Sequence, residues 1–326
     1  MALQFDLSGS QIDGARDYQE DAFLINQLTD ADGNPAALII VADGMGGHAA
    51  GNVASNMAVQ AINKHISANY PTDSPDEILH ECVIKANNSI QETVKETPAL
   101  SGMGCTMVVA ILEKEKIWWV SVGDSHLYLL RNKELKKVNA DHSYGGFLDR
   151  MAAAGTPVEA EPGLARNMLM SAITGDEINE IDVSHEPLAL QAGDRILLCS
   201  DGMDTLSAGK LIQFSDWSES PKECVEAMLT AVEDAAMPRQ DNTTIVVVDV
   251  KEAATAAAPA PEQEPARETP APAPEAAPQS APTPQPATPT HVQTAVPEKK
   301  GKSGLIIGLA AVIIAGVAIG GFLMWG

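Results

Sequence analysis

Residues 38–48 read LIIVADGMGGH, and this stretch contains the pattern that decides the fold. Five apolar residues form a run typical of a buried β-strand, and the run ends at Asp43 and Gly44. A glycine beside the aspartate lets backbone and ligands approach closely. The stretch therefore predicts a core strand that brings a carboxylate to the edge of a sheet.

Other carboxylates occupy the same position at the ends of apolar runs. Asp-Gly after a single strand is more often a tight turn, but here the pattern recurs. If several of these strand ends lie in one cleft, their carboxylates repel one another, so we expect divalent cations to neutralise them. The candidate ligands are all oxygens, which favours Mg²⁺ or Mn²⁺ over Zn²⁺. Asp124 follows WWVSVG, Asp201 follows RILLCS, Asp241 precedes NTTIVVV, and Glu20 with Asp21 precedes AFLINQL.

Short β-rich runs and amphipathic helices predict an α+β fold. Short turns between consecutive strands favour antiparallel sheets, and we expect the helices to cover the outside of the packed sheets. Ser-Pro-x-Glu is typical of a capping box with proline in the first helical turn. Strands are predicted at 38–42, 106–112, 117–122, 126–130, 195–199 and 243–250, and helices at 52–69 and after Ser74 and Ser220.

Charge and cysteine content exclude several classes of function. The chain has 326 residues with 21 Lys and Arg against 44 Asp and Glu, a net charge of -23. Residues 1–250 hold 16 of the basic and 38 of the acidic residues. Such a surface repels phosphate backbones, so we expect no nucleic-acid binding. The four cysteines form no C-x-x-C pair, which argues against a disulfide framework or structural zinc site and fits a reducing compartment.

The composition changes sharply after residue 250. We predict a folded catalytic domain at 1–250, an Ala/Pro-rich disordered linker at 251–303 and a transmembrane helix at 304–326. The linker prediction rests on proline, since 12 of the 21 prolines lie between residues 251 and 300.

The membrane prediction rests on residues 305–325, a run of 21 residues without a charge. As a helix this run matches a hydrocarbon core about 30 Å thick. Lys299, Lys300 and Lys302 precede it, which favours a cytosolic N-terminal side, and the N-terminus shows no secretory signal. We therefore expect a single-pass, tail-anchored membrane protein with a cytoplasmic domain.

Two further side chains suit phosphate chemistry. Arg16 lies four residues before Glu20, where its guanidinium could bind a phosphate through two hydrogen bonds. The alternative is a surface arginine paired with Asp13 or Asp17. His48 follows Asp43 closely and suits a general acid, although an isolated histidine is more often a helix cap.

Taken together, seven segments resemble the successive motifs of the metal-dependent (phosphatase 2C-type, PPM) Ser/Thr protein phosphatases in their bacterial form. The match runs in order over residues 5–250. The resemblance implies a four-layer α-β-β-α sandwich of two antiparallel sheets flanked by helices, with a metal centre at one end. The segments are Gly14–Asp21, Val41–His48, Gly104–Met107, Ser121–Ser125, Asp141–Ser143, Ser200–Gly202 and Gln240–Thr243.

The resemblance also implies roles for single residues. Asp43 would bridge two Mn²⁺ or Mg²⁺ ions. Residues 141–175 correspond to the family's mobile flap, which shapes substrate access. The other implied metal ligands are Asp201 and Asp241 at one ion and Glu20 with the Gly44 carbonyl at the other; Arg16 would bind phosphate, Asp21 would orient metal-bound water, and His48 would be the general acid.

Two positions depart from the family pattern. His126 stands where the bacterial pattern usually has an arginine after Gly-Asp-Ser. Thr205 stands where the family commonly has an aspartate that binds a third metal, with Asp204 one position earlier. The third metal, for which Asp124 and Asp204 are candidate ligands, stays open, whereas the two-metal centre is expected.

The leading hypothesis is a membrane-tethered protein phosphatase. It would hydrolyse phosphoserine and phosphothreonine in phosphorylated proteins by direct attack of metal-bound water and oppose a Ser/Thr protein kinase in signal transduction. One alternative is a catalytically silent, phosphatase-like scaffold, which the retained carboxylates Glu20, Asp43, Asp201 and Asp241 argue against. Another is a metal-dependent phosphodiesterase acting on nucleic acid, which the negative charge argues against.

Overall fold

The computed structural model describes residues 3–47 and 49–253, and along the chain groups of strands are followed by one or two helices. The strands are β1 (Leu3–Ile12), β2 (Ala22–Thr29), β3 (Pro35–Ala42), β4 (Gly44–Met45), β5 (Gly104–Cys105), β6 (Met107–Glu113), β7 (Lys116–Val122), β8 (His126–Arg131), β9 (Glu134–Lys137), β10 (Asp182–Val183), β11 (Leu188–Ala189), β12 (Arg195–Cys199) and β13 (Thr243–Glu252). The helices are α1 (Ala49–Asn69), α2 (Pro75–Glu96), α3 (Tyr144–Ala153), α4 (Ala208–Trp217) and α5 (Pro221–Asp234), with short 3-10 helices at Pro98–Leu100 and Asp201–Thr205.

Two main sheets form the centre of the domain. The first has the strand order β1-β13-β12-β8-β9, and the second has the order β10-β7-β6-β3-β2 with β11 also paired to β7. The short strands β4 and β5 pair separately. Every pairing between described strands is antiparallel. The predicted combination of antiparallel sheets and helices is confirmed.

Three apolar clusters explain why the central strands are continuously apolar. In β3, Leu38 and Ile40 pack with side chains of α1 and α2, whereas Ile39 and Val41 pack against the first sheet. The other face of the first sheet packs against α4 and α5. The layers therefore follow the order α1 and α2, second sheet, first sheet, α4 and α5. Successive residues of a strand face opposite sides of its sheet. Because both sides are covered, the residues of a central strand that face either side are apolar.

The predicted strands and the helix at 52–69 coincide with observed elements to within a few residues. Ser220 caps α5, with its hydroxyl accepting from the Glu223 N–H. The helix predicted after Ser74 is present as α2, but the capping box predicted there is wrong, because the Ser74 hydroxyl makes no capping hydrogen bond. The backbone ψ of Ser74 is 71°, far from the 157° of Ser220, so Ser74 lacks the extended backbone of the capping serine.

Several elements escaped prediction. The strand β1 alternates apolar and polar residues, and Leu3, Phe5 and Leu7 pack into the core between the sheets. Helix α3 begins with Tyr-Gly-Gly, a poor helix-forming sequence, and Ser143 caps it. Helix α4 is capped by Ser207.

The end of the predicted domain also differs slightly. Lys251 and Glu252, assigned above to the linker, continue β13 and pair with Gln4 and Leu3. The rest of the predicted linker and the predicted transmembrane helix at 304–326 lie outside the described residues. Within residues 3–47 and 49–253, no helix combines the length and apolar character needed to span a membrane.

Candidate metal centre

Strand register brings the predicted carboxylates to one end of the domain. In the second sheet, Ala22 at the start of β2 pairs with Ala42 at the end of β3. In the first sheet, Cys199 at the end of β12 pairs with His126 at the start of β8. The same edge carries the loops that follow β1 and β7 and the loop that precedes β13. Residues far apart in sequence therefore meet at this edge.

A cavity of about 270 Å³ lies at this end of the domain. It collects most of the predicted site residues and adds two residues of the predicted flap, Asn167 and Leu169. The predicted site residues on its wall are Arg16, Glu20, Asp43, Gly44, Asp124, Asp201 and Asp241. These seven residues come from five separate segments of the chain, so the site is a product of the fold.

The carboxyl groups of Asp43 and Asp201 lie on the same cavity wall and interact electrostatically. Burial raises the pKa of Asp43 well above its usual range, and the charges of Asp21, Asp201 and Asp241 raise it further. Burial likewise raises the pKa of Asp201. Two ionised carboxylates on one buried wall repel each other, and a proton or a cation relieves that repulsion.

The neighbouring acids show the same electrostatic crowding. Burial raises the pKa of Asp124 to about 7, with a further contribution from the charge of Asp201. Burial also raises the pKa of Asp21 to about 6, although hydrogen bonds from Thr244 and Ser200 oppose the change. Asp21 is not on the cavity wall: its Oδ2 accepts from both hydroxyls at 2.7 Å, and the side chain is almost fully buried.

The donor set fits hard divalent cations. Asp201 Oδ1 and Asp21 Oδ1 are buried and accept no hydrogen bond from the described residues. Buried carboxylate oxygens without a donor are costly unless a cation compensates them, and oxygen ligands are those that Mg²⁺ and Mn²⁺ prefer. No three of the described acidic, histidine or cysteine side chains yet converge tightly enough to surround an ion. The residues present therefore supply the ligand chemistry without a closed coordination shell.

Arg16 is the basic residue on the cavity wall. Its Nη2 donates to Asp241 Oδ2 at 2.5 Å, and its Nη1 lies 3.9 Å from Glu20 Oε2. The predicted alternative partners, Asp13 and Asp17, do not pair with it among the described residues. The side chain is 46% exposed, so part of the guanidinium faces the cavity.

Comparison with known proteins agrees with this geometry. Residues 14–240 match the family described as Protein phosphatase 2C. The chain belongs to the protein phosphatase 2C family.

Similar proteins come from several bacteria. The Serine/threonine protein phosphatase PstP of Mycobacterium tuberculosis is 35% identical over 221 residues, which cover 66% of this chain and 40% of PstP. The Serine/threonine phosphatase stp of Listeria welshimeri is 32% identical over 216 residues, covering 65% of this chain and 84% of stp. A crystal structure of the PstP catalytic domain in complex with two manganese ions has a TM-score of 0.62 and 30% identity, covering 77% of this chain and 99% of that one.

The candidate residues for a third metal do not share one cavity in this phosphatase 2C chain. Asp124 lies on the wall of the 270 Å³ cavity, whereas Asp204 faces a neighbouring cavity. His126, one of the two departures from the family pattern, holds Asp204 Oδ1 through its Nε2 at 2.9 Å. Thr205, the other departure, donates to Gln240 Oε1 at 2.6 Å. Both departures therefore have local partners.

Close backbone packing explains why two positions in the motifs, 44 and 202, are glycine. The N–H of Gly44 donates to the Glu20 carbonyl at 3.1 Å, and a Cβ at Gly44 would collide with the backbones of Glu20 and Gly51. A Cβ at Gly202 would collide with the Asn242 carbonyl. These glycines let the carboxylate loops approach one another.

Asn242 lies within the Gln240–Thr243 segment, and no role was predicted for it. Its Oδ1 accepts from the Glu20 N–H at 2.9 Å, and its Nδ2 donates to the carbonyls of Asp13 and Tyr18. It therefore fixes the loop that carries Arg16 and Glu20. The only available sequence indication was its place directly after Asp241. His48, the predicted general acid, lies outside the described residues.

Proposed function

We propose that this protein is a metal-dependent protein Ser/Thr phosphatase. The observation that carries the proposal is the cavity in which Asp43 and Asp201 crowd together beside the partly exposed guanidinium of Arg16. Relatives named as Ser/Thr phosphatases support the choice of substrate class. The chain spans only 40% of the length of the mycobacterial relative, so activity and substrates are inferred from the shared domain.

The residues that would hold two Mn²⁺ or Mg²⁺ ions lie on one cavity wall. When bound, such ions polarise a phosphoryl oxygen and lower the pKa of a water molecule, which supplies a nucleophile at neutral pH. The ligands in this proposal are Glu20, Asp43, Asp201, Asp241 and the Gly44 carbonyl.

The chain's own side chains would bind and orient the substrate. Arg16 would bind the phosphate through charge-assisted hydrogen bonds, which its fixed position between Asp241 and Glu20 prepares. Asp21 would act as a positioning residue, because it holds the hydroxyls of Ser200 and Thr244 directly behind the ligand loops. His48 would donate a proton to the departing serine or threonine oxygen.

The test is phosphate release by the full chain from a phosphothreonine peptide, measured with Mn²⁺, with Mg²⁺ and with EDTA. We expect turnover with either cation and none with EDTA. Metal-independent turnover would refute the proposed chemistry. A folded chain that binds cations but releases no phosphate would favour the scaffold alternative.

We further propose that residues 304–326 anchor the phosphatase in a membrane with its catalytic domain in the cytoplasm, where it opposes a Ser/Thr protein kinase. The uncharged run at 305–325 and the three lysines before it support this proposal. A tether would raise the effective concentration of the domain near membrane-bound phosphoproteins.

Fractionation tests the anchor. The full chain should remain with membranes after alkaline carbonate extraction, whereas a chain ending at residue 303 should be released with unchanged activity on a soluble phosphopeptide. Release of both forms would refute the anchor and leave the proposed chemistry standing.

A further inference from the structure

Arg239 differs from the other arginines of the described residues. Five of the six form an ion pair with a carboxylate, but Arg239 pairs with no described residue. In a domain with 38 acidic and 16 basic residues, an exposed arginine without a carboxylate partner is unexpected. The five pairs are Arg16–Asp241, Arg131–Asp194, Arg150–Glu180, Arg166–Asp149 and Arg195–Asp249.

Arg239 lies on the wall of a second cavity, which adjoins the candidate metal centre. This cavity measures about 860 Å³ and shares Arg16, Asn167, Asp201 and Asp241 with the 270 Å³ cavity. We call it the flanking groove. Its size is far greater than a phosphate group requires, so it has room for chain on one side of a phosphorylated residue.

The backbone around Arg239 is held firmly although its side chain is exposed. Gln240 is buried, and its Nε2 donates to the Gly202 carbonyl at 3.0 Å while its Oε1 accepts from the Thr205 hydroxyl at 2.6 Å. The Gln240 carbonyl accepts from the Ala15 N–H at 2.9 Å. The loop between α5 and β13 is thereby fixed to two loops of the metal centre, and Arg239 projects from a rigid support.

The chemistry of the groove wall suits an acidic peptide. Met237 is 51% exposed beside Arg239 and offers an apolar contact surface. The carboxylates on the same wall already have partners: Asp204 bonds to His126, and Asp241 bonds to Arg16. Asp201 is one of the proposed metal ligands. Arg239 is thus the charged group of this wall that stays available to an incoming anion.

We propose that the flanking groove binds the substrate polypeptide next to the phosphorylated residue and that Arg239 selects substrates with an acidic side chain there. This inference rests on the proposed phosphatase function. An arginine and a carboxylate form paired hydrogen bonds that give geometric selectivity as well as attraction.

The experiment measures the hydrolysis of three substrates by the full chain in the presence of Mn²⁺. They are p-nitrophenyl phosphate, a peptide with glutamates on both sides of its phosphothreonine, and the same peptide with glutamines in place of the glutamates. Wild type should prefer the glutamate peptide by roughly three- to tenfold in kcat/KM. Arg239→Ala should abolish that preference, mainly through KM, and leave p-nitrophenyl phosphate hydrolysis unchanged. Arg239→Lys should retain part of the preference.

Two controls separate this inference from general charge effects. Lys85→Ala removes an exposed positive charge from α2, outside the groove, and should keep the full preference. Lys64→Ala removes an exposed positive charge from α1, also outside the groove, and should likewise keep the full preference.

The outcomes are distinct. Equal use of both peptides by wild type, or a preference that survives in Arg239→Ala, overturns the assignment of Arg239 while the phosphatase proposal stands. Failure of wild type to hydrolyse p-nitrophenyl phosphate overturns the phosphatase proposal and this assignment with it.

Discussion

The Arg16 guanidinium donates to the Asp241 carboxylate at 2.5 Å, which joins the loop after β1 to the loop before β13. The proposed phosphate-binding cation is thus held by a proposed metal ligand. This pairing keeps a positive charge beside a group of carboxylates, so the cavity can accept both cations and an anionic phosphate.

Arg16→Ala should lower kcat/KM for a phosphothreonine peptide by roughly 10- to 100-fold, since a hydrogen bond to a charged group contributes about 1.5–3 kcal/mol. Mn²⁺ affinity should stay equal or increase, because a repelling cation has been removed. Steady-state kinetics and metal titration measure the two effects. The kcat/KM of Arg16→Lys should lie between those of wild type and Arg16→Ala. Unchanged kinetics in Arg16→Ala would exclude the residue from the site.

Asp43→Asn should reduce turnover by more than about 100-fold because the crowded cavity loses a central ligand. The metal-free variant should unfold at the same temperature as wild type or higher, since one source of mutual repulsion is gone. Asp216→Asn, an exposed carboxylate paired with Lys133, is the control and should keep activity. Full activity in Asp43→Asn would contradict the proposed ligand set.

Divalent cations should stabilise the folded domain. At a cation concentration about 100 times Kd, mass action adds about 2.7 kcal/mol to the free energy of unfolding. For a domain of this size that corresponds to a rise in Tm of roughly 5–10 °C. Thermal unfolding with and without Mn²⁺ measures the change, and an equal rise in Asp43→Asn would show that the cation binds elsewhere.

His48→Gln should slow the hydrolysis of phosphopeptides far more than that of p-nitrophenyl phosphate. Loss of a general acid slows departure of a serine or threonine oxygen by about 100- to 10,000-fold. p-Nitrophenolate leaves without protonation, so hydrolysis of p-nitrophenyl phosphate should change little. Equal losses on both substrates would assign His48 a structural or phosphate-binding role.

The buried pair of Arg195 and Asp249 predicts a stability effect far from the site. Arg195 donates to both carboxylate oxygens of Asp249 and to the Ser215 carbonyl. Asp249→Asn should lower the free energy of unfolding by about 3–5 kcal/mol, because it leaves a buried guanidinium without its counter-charge. Urea unfolding measures this loss, and activity per folded molecule should be unchanged. Replacing both residues, Arg195→Met with Asp249→Leu, should recover much of the stability.

The strand-end carboxylates could be predicted from sequence because apolar runs mark the strands and antiparallel register places their ends together. Asp21 was harder, since it follows Glu20 directly and the sequence does not show which of two adjacent carboxylates faces the cavity. In the structure, Glu20 lies on the cavity wall, whereas Asp21 accepts hydrogen bonds from Ser200 and Thr244.

Other contacts depend on pairings that no local pattern encodes. His126 meets Asp204 because β8 and β12 are neighbours in register, with His126 opposite Cys199. Helix α3 was missed because its first turn contains two glycines. In the structure Ser143 caps the helix, and the Gly145 N–H donates to the Arg166 carbonyl. By contrast, the alternation of apolar and polar residues in β1 is visible in the sequence and could have predicted this strand.

Strand β13 has a consequence for access to the site. It starts at Thr243, beside the metal-centre loops, and ends at Glu252, so its ten residues span about 33 Å across the domain. Ala253 therefore leaves the domain on the side away from the cavities. In the proposed function, a phosphoprotein would therefore approach the metal centre at the opposite end of β13 from the residue at which the chain leaves the domain.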